Sequence, residues 1–404
     1  LKLSIFSPTH NPQYIEDTYR SIVQQGYQNW EWIVAPNAKE GEPLPTLPEW
    51  LRNSKDSRIR VVPYHYQDKP MVGALKRFCC DQAVGDVFVE LDHDDMLMPG
   101  ILTKIAEAAK EGAGFIYSDE ALFNATDNAK KAFGEMFGWE SYDVQVYGQD
   151  LLATRNFPVS PRMLCEVHYA PDHIRCWSRE AYYTAGGHDA ELEVGDDHDL
   201  VCRTYLAGVE FKHTGGCGYL YRFHPDNTVK SHNKAIQVQQ GKNRDKYLYE
   251  ILEEWCHREG LLFLDLENPP EEIELEPAGA IEHNSVGVIK AYGHYLPKLE
   301  NQNIPHFIEK VYDWLVPGGF FCARAPSTDG REAFAPHLSS LWNQHSFSYY
   351  TDRRWQLPGN RARFQAVRLG TTASDEERRK AKLLDVVADL CALKGQRQPG
   401  RVHI

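Results

Sequence analysis

Nine residues, Val87-Phe88-Val89-Glu90-Leu91-Asp92-His93-Asp94-Asp95, constrain this chain more than any other stretch. The first half is mostly apolar and reads as a short central strand of an α/β sheet whose two faces are covered by helices. The second half sets three carboxylates and an imidazole where that strand ends. Sheets of this kind gather their ligands outside the carboxyl ends of their strands. Crowded carboxylates repel one another unless something positive lies between them, and a divalent cation shared with phosphates answers that need. An Asp at such a turn also serves simply to cap the next helix, here one entered through Pro99.

The residues before the acidic tip supply its sheet. Lys2 to Ser7 reads as a strand that ends in the breaker-rich turn Pro8-Thr9-His10-Asn11-Pro12. A helix follows, with Ile15, Tyr19, Ile22 and Val23 on one stripe, and stops near Gly26. Trp30 to Ala35 is a second strand, 41–48 a proline-rich loop, Arg58 to Val62 a third strand, and Val72 to Ala83 a helix closed by Gly85. Strand and helix alternating in this way predict an open, mostly parallel sheet. A dinucleotide-binding domain needs G-x-G-x-x-G after its first strand. Pro8-Thr9-His10-Asn11 stands there instead, and the oxidoreductase reading loses its main support.

Beyond the tip, Leu102 to Ala109 is helical and Gly114 to Glu120 is a strand ending in acid. The stretch 124–165 is long and aromatic, with Trp139, Tyr142 and Tyr147, and suits a segment folded over a site. A helix beginning at Arg179 leads to Gly186-Gly187-His188-Asp189. The second acidic cluster, Glu193-Val194-Gly195-Asp196-Asp197-His198-Asp199-Leu200, runs into the apolar helical face of Val201, Tyr205 and Leu206. Its carboxylates therefore sit at a helix N-terminus, which favours anions. Capping needs only one of them. Tyr219 to Pro225 alternates as a strand and carries Arg222 and His224; a helix from Gln237 to His257 closes a first domain, 1–258, before a second, 259–404.

With 404 residues the chain has length for two cores. A net charge of −13 argues against a general polyanion-binding surface, though not against a local basic groove. The nine cysteines show no metal-ligand or disulfide spacing, which fits a reducing, cytoplasmic setting. No apolar run reaches membrane-spanning length, and no targeting peptide is visible.

Taken in order, these pieces resemble the GT-A glycosyltransferases of the inverting family 2, over about residues 1–255. Ser4 to Asn11 looks like that family's opening strand and turn, and Ser21 to Gln25, Tyr27, Trp30-Glu31 and Val34 like its first helix and second strand. Leu91 to Asp95 looks like its D-x-D motif, Gly186-Gly187 with Asp196 to Leu200 like its acceptor-side acidic motif, and Tyr221 to His224 like the strand and histidine that close its active site. The resemblance implies that Asp92 and Asp94 hold Mn²⁺ or Mg²⁺ against the donor diphosphate, with His224 as a further ligand. It implies that Asp197 is the general base of a direct, inverting displacement, with Asp196, His198 and Asp199 as candidates for orienting base or acceptor and the cluster raising its pKa. Donor contacts are expected from Pro8, Thr9, Asn11 and His93, and from Lys76, Arg77 and Arg222. Where the family has an acidic pair after the second strand this chain has Pro36-Asn37, so Asn37 would meet the nucleoside by hydrogen bonds alone. A uridine-diphosphate sugar is the first expectation for the donor.

The second part has a different character. Leu261 to Leu266 is a strand ending in acid, 267–277 is acidic and proline-containing, and Ser285 to Ala291 is a strand. A helix from Ile304 to Leu315 ends at Pro317-Gly318-Gly319, and Phe320 to Ala325 is a strand. With Pro326, Phe347, Tyr349 and Tyr350, this order resembles the latter part of a class I S-adenosylmethionine-dependent methyltransferase over roughly 261–370, a smaller, Rossmann-like α/β domain. Asp265 sits where a ribose-binding acid would, but the Gly-rich loop is missing: Glu253 to Gly260 is charged and continues a helix. The expectation is a truncated relative without methyl transfer, in which S-adenosylmethionine binding is disfavoured. Glu376 to Lys394 reads as one charged helix with Leu383, Leu384, Val387 and Leu390 on one face, which would dock on this domain or form a homodimer contact; 397–404 reads as an edge strand.

The leading expectation is therefore a metal-dependent, inverting glycosyltransferase. A bifunctional glycosyltransferase and methyltransferase, and a non-catalytic glycan- or nucleic-acid-binding protein, are its alternatives. The acceptor stays open among a glycan, a lipid-linked sugar and a modified nucleobase.

Overall fold

The computed structural model describes all residues except 125–129, 132–138, 167–170, 269–280, 294 and 395–404. The chain divides into two compact units, Leu1–Tyr247 and Leu248–Ile404, with the boundary inside the helix Asn233–Glu259.

In the first unit the strands Ile59–Val61, Trp30–Lys39, Leu3–Thr9 and Val87–Glu90 lie side by side in that order, all parallel. Val87–Glu90 is buried along its whole length, as its apolar character predicts. Leu3, Ile5, Trp30, Trp32, Val87 and Val89 pack with Ile15 and Ile22 of the first helix and Ile101, Leu102 and Ile105 of a later one. Trp30–Lys39 runs four residues beyond the expected Ala35, because Asn37 to Lys39 pair with the short strand Tyr64–Tyr66.

Past Val87–Glu90 the sheet changes direction. Arg175–Ser178 is antiparallel to both its neighbours, Val87–Glu90 and Phe115–Asn124. Gln149–Arg155 and Glu140–Val146 continue antiparallel. The expected mostly parallel sheet is thus all parallel on one side and mixed on the other. Parallel neighbours require long crossovers, whereas hairpins return the chain at once. The hairpin turns at Tyr147-Gly148, both at positive φ (49° and 75°), as a tight two-residue connection demands. Phe211–Phe223 runs parallel to Phe115–Asn124 and antiparallel to Met96–Leu97, carrying Tyr219 and Arg222 to the acidic tip.

The helix Val72–Gln82 approaches the loop after Arg179–Thr184 at Gly73, where a Cβ would lie 1.9 Å from the carbonyl oxygen of Asp189. Only glycine fits this crossing.

The second unit is a five-stranded sheet in the order Leu262–Asp265, Val286–Ala291, Leu315–Pro326, Asp385–Ala392, Phe364–Thr372. The first three are parallel, and Asp385–Ala392 is antiparallel to both its neighbours. Pro317-Gly318-Gly319 falls inside one strand as a register shift between Leu315 and Phe320, not as a turn before it. The predicted helix from Glu376 to Lys394 is corrected: helix spans only Glu376–Lys380, and Asp385–Ala392 is a strand buried at every position. Its leucine spacing mimics a helical face, but Val386-Val387-Ala388 and Leu390-Cys391-Ala392 are apolar on both faces, which suits an interior strand. No amphipathic helix face is left there to dock or to dimerise. The predicted edge strand at 397–404 and most of the acidic stretch at 267–277 lie outside the described residues.

All nine cysteines are free thiols. Among the described residues no helix is long and apolar enough to cross a membrane.

Candidate active site

Two acidic segments that are 100 residues apart in sequence meet in one cleft of about 260 Å³. Asp92, His93 and Asp94 enter it from the end of Val87–Glu90. Asp196 and Asp197 enter it from the N-terminus of the helix Asp196–Leu206, which follows Gly195 at φ 70°. Of the other predicted residues, Pro8, Asn11, Asn37, Lys76 and His224 line the same cleft.

At the first segment, Asp94 Oδ2 lies 2.7 Å from His224 Nε2. Burial, together with the charges of Glu90 and Asp94, pushes Asp92 up to about 7. Asp95 turns inward, where its carboxylate accepts from the Tyr219 hydroxyl at 2.9 Å and the Arg222 backbone N–H at 2.6 Å. Arg222 Nε donates to the Asp94 carbonyl at 2.7 Å and Nη2 to Asp17 at 3.0 Å. Arg222 thus braces the turn from behind and does not line the cleft.

Among the described residues no group of three or more His, Cys, Asp and Glu side chains is placed to hold a metal ion by itself. The donor set nevertheless fits a divalent cation that takes its remaining ligands elsewhere. Asp94 and His224 converge, Asp92 is raised by burial and then by the charges of Glu90 and Asp94, and Mg²⁺-type sites use one or two protein ligands plus phosphate oxygens.

At the second segment a buried ion network organises the floor. Glu90 Oε1 accepts from Lys76 Nζ at 2.7 Å and from Arg175 Nη2 at 2.8 Å. Burial opposes the charge on Glu90, but these two cations outweigh it and hold the carboxyl well below its usual range. Arg175 Nη1 reaches Asp197 Oδ2 at 3.1 Å. Burial likewise opposes the charge on Asp197, yet Arg175 and then Lys76 bring it down to about 2. The expected upward shift of Asp197 is therefore reversed, because the sequence concealed the guanidinium. Asp196 takes the opposite shift: burial and the charge of Asp197 push it up to about 6 against Lys76. His188, behind it, is pushed down to about 3 by burial and Lys76.

Besides Arg222, the structure turns three predicted residues away from the cleft. Asp199 is bound by Arg203 at 2.5 Å and the Tyr247 hydroxyl at 2.6 Å. Arg77 donates to the carbonyls of Gly186 and His188 at 3.0 and 3.2 Å. Thr9 is wholly buried. Sequence reading missed His10, Tyr14, Asp172, His173, Arg175 and Tyr221, which also line the cleft. A His and an Arg leading into an otherwise apolar run, His173-Ile174-Arg175-Cys176-Trp177, were the available signal for His173 and Arg175.

Residues 4–152 match the protein-family model described as Glycosyl transferase family 2. The chain is 28% identical over 134 residues to a GalNAc(5)-diNAcBac-PP-undecaprenol beta-1,3-glucosyltransferase of Campylobacter jejuni, covering 33% of this chain and 42% of that protein. It is 24% identical over 207 residues to the O-antigen biosynthesis protein RfbC of Myxococcus xanthus, covering 50% of this chain and 14% of that protein. The chain therefore spans less than half the length of these curated relatives. Among solved structures, S. aureus TarS 1-349 is 14% identical, covers 78% of this chain and 80% of its own, and superposes with a TM-score of 0.40, too slight a likeness to bear on function. The matched segment and the α/β sheet around it identify the first unit as holding a GT-A-like domain of glycosyltransferase type.

Proposed function

We propose that this chain transfers a sugar from a nucleotide-sugar donor, a uridine-diphosphate sugar first among them, to an acceptor hydroxyl by one inverting displacement. One observation carries the reading: Asp94 with His224, and Asp197, enter one cleft from separate parts of the chain. A Mn²⁺ or Mg²⁺ ion bound there would supply positive charge for the leaving diphosphate. Asp92, Asp94 and His224 are the residues proposed to hold it. Pro8, Asn11, Asn37 and His93 would contact the donor, with Lys76 adding charge beneath it.

Asp197 is the proposed base. Its pairing with Arg175 makes it a weak one, so it accepts the proton late, as the attacking oxygen grows acidic on bonding to the anomeric carbon. Asp196 orients it from the adjoining helical position. Of the two curated relatives, one is a glucosyltransferase and the other an O-antigen biosynthesis protein. For this chain the two acidic segments together favour catalysis over passive glycan or nucleic-acid binding.

The division into a transferase domain, 1–258, and a partial methyltransferase-like domain, 259–404, is part of the same proposal. Asp265, the one acid in a ribose-binding position, is engaged by Lys290 at 2.8 Å, which supports a domain without methyl transfer.

Hydrolysis of a panel of nucleotide-sugars, with and without Mn²⁺, on wild type and Asp94→Ala tests the reading. Metal-dependent turnover of one donor, lost in the variant, is expected. Neither turnover nor metal-dependent binding of any donor would sink it.

A further inference from the structure

Glu120 and Asp172 form a carboxyl pair to which the proposed displacement gives no role. Glu120 stands in Phe115–Asn124, between Thr154 on one neighbouring strand and Tyr219 on another. It is 2% exposed, and apart from the nearby His173 backbone N–H no donor faces its two oxygens. The carboxyl that bears on it is Asp172, which lines the cleft. Two carboxylates have no donor between them, so their contact becomes a hydrogen bond only when one carries a proton. A buried carboxyl without a cation of its own keeps its proton. Burial, reinforced by the charge of Asp172, pushes Glu120 well above its usual range. Burial pushes Asp172 up to about 7, with Arg175 opposing.

The titratable groups facing this pair come from several elements. Arg175 and His173 lie on its own segment, Asp197 on the helix Asp196–Leu206, Glu90 on the central strand, and Cys217 and Tyr221 on Phe211–Phe223. Burial and the charge of Arg175 keep His173 neutral. Arg175 is the permanent cation among them. Its Nη1 is 3.6 Å from Asp172 Oδ1 and 3.1 Å from Asp197 Oδ2. One guanidinium nitrogen therefore holds two carboxylates side by side on the cleft wall.

Resting on the transferase reading, we infer that Asp172, hydrogen-bonded by a protonated Glu120, is an acceptor-positioning carboxylate that binds the hydroxyl next to the one Asp197 deprotonates. The acceptor is then a sugar presenting vicinal hydroxyls, not a base bearing a single hydroxymethyl group. Two adjacent hydroxyls match two adjacent acceptors, and a hydrogen bond to a charged acceptor carries enough energy to select for them.

The test has two arms besides turnover. In the infrared, the difference between wild type and Glu120→Gln at neutral pH should contain the carbonyl stretch of one protonated buried carboxyl; a difference spectrum without that band overturns the pair. Saturation-transfer NMR with a panel of methyl glycosides and their monodeoxy analogues should show a glycoside whose binding weakens about tenfold or more in Asp172→Asn and on loss of one vicinal hydroxyl. Equal binding by Asp172→Asn and wild type, or no glycoside bound by wild type, overturns the assignment. Donor hydrolysis by the same wild-type sample reports separately on the transferase reading.

Discussion

Asp94 Oδ2 and His224 Nε2 lie 2.7 Å apart although 130 residues separate them along the chain. Each arrives on the end of a different strand, and the strand Phe211–Phe223 fixes their meeting by pairing with Met96–Leu97. A cation bridging them to a diphosphate would stabilise the folded chain by mass action, by about 2.7 kcal/mol at a hundredfold excess over the dissociation constant. Mn²⁺ with uridine diphosphate is therefore expected to raise the thermal midpoint of wild type. Asp94→Ala and His224→Ala should abolish that rise, which differential scanning fluorimetry would show. An undiminished rise in both variants would remove these residues from the metal site.

Asp197→Asn should lower sugar transfer by about 10²–10⁴-fold while donor binding persists. It should also flatten part of the acid dependence of stability. The folded carboxyl titrates at about 2 against an ordinary 3.8. Its stabilising share is therefore present above 3.8 and lost as the pH falls through about 2, an amount on the order of 2 kcal/mol. Urea unfolding of both proteins at pH 5 and near pH 2 would measure the difference. Parallel losses would contradict the Arg175 pairing.

Glu90→Gln leaves Lys76 and Arg175 buried with one full negative charge fewer between them. Removing one member of such a buried network costs about 3–5 kcal/mol. The urea midpoint should fall accordingly, and a change under about 1 kcal/mol would mean that water or rearrangement compensates the two cations.

Gly73→Ala forces a Cβ to within 1.9 Å of a backbone oxygen, so the helix bearing Lys76 must move. Overpacking of this kind costs about 1–3 kcal/mol. Gly26→Ala, whose Cβ would meet nothing within 4 Å, is the matched control and should leave the melting temperature nearly unchanged.

In the second unit Asp389, wholly buried, accepts from Arg368 Nε at 2.7 Å and from the Tyr249 hydroxyl at 3.0 Å. Asp389→Ala strips both donors of this acceptor, at a cost of about 1–3 kcal/mol. Hydrogen exchange should speed up in Leu315–Pro326 and Phe364–Thr372, the strands flanking it. Unchanged exchange there would show that the network contributes nothing to the sheet.

The sequence by itself determined most strands and helices of the first unit up to the acidic tip, because apolar runs, breakers and a helical stripe there are local signals; the short strand Tyr64–Tyr66 and the helix Glu49–Arg52 gave none. It also marked both acidic segments and His224. It misjudged the tail, where Val386 to Ala392 offered a helical spacing that burial on both sheet faces overrode. Only the tertiary structure decided which partner each acid meets. Asp199 fell to Arg203 and Tyr247, Asp197 was depressed by Arg175, and Asp172 met Glu120. Those outcomes depend on strand pairing: Arg175–Ser178 inserts antiparallel between two strands far from it in sequence. A carboxylate's basicity is set by the charges within a few ångströms of it, and no spacing along the chain records that distance.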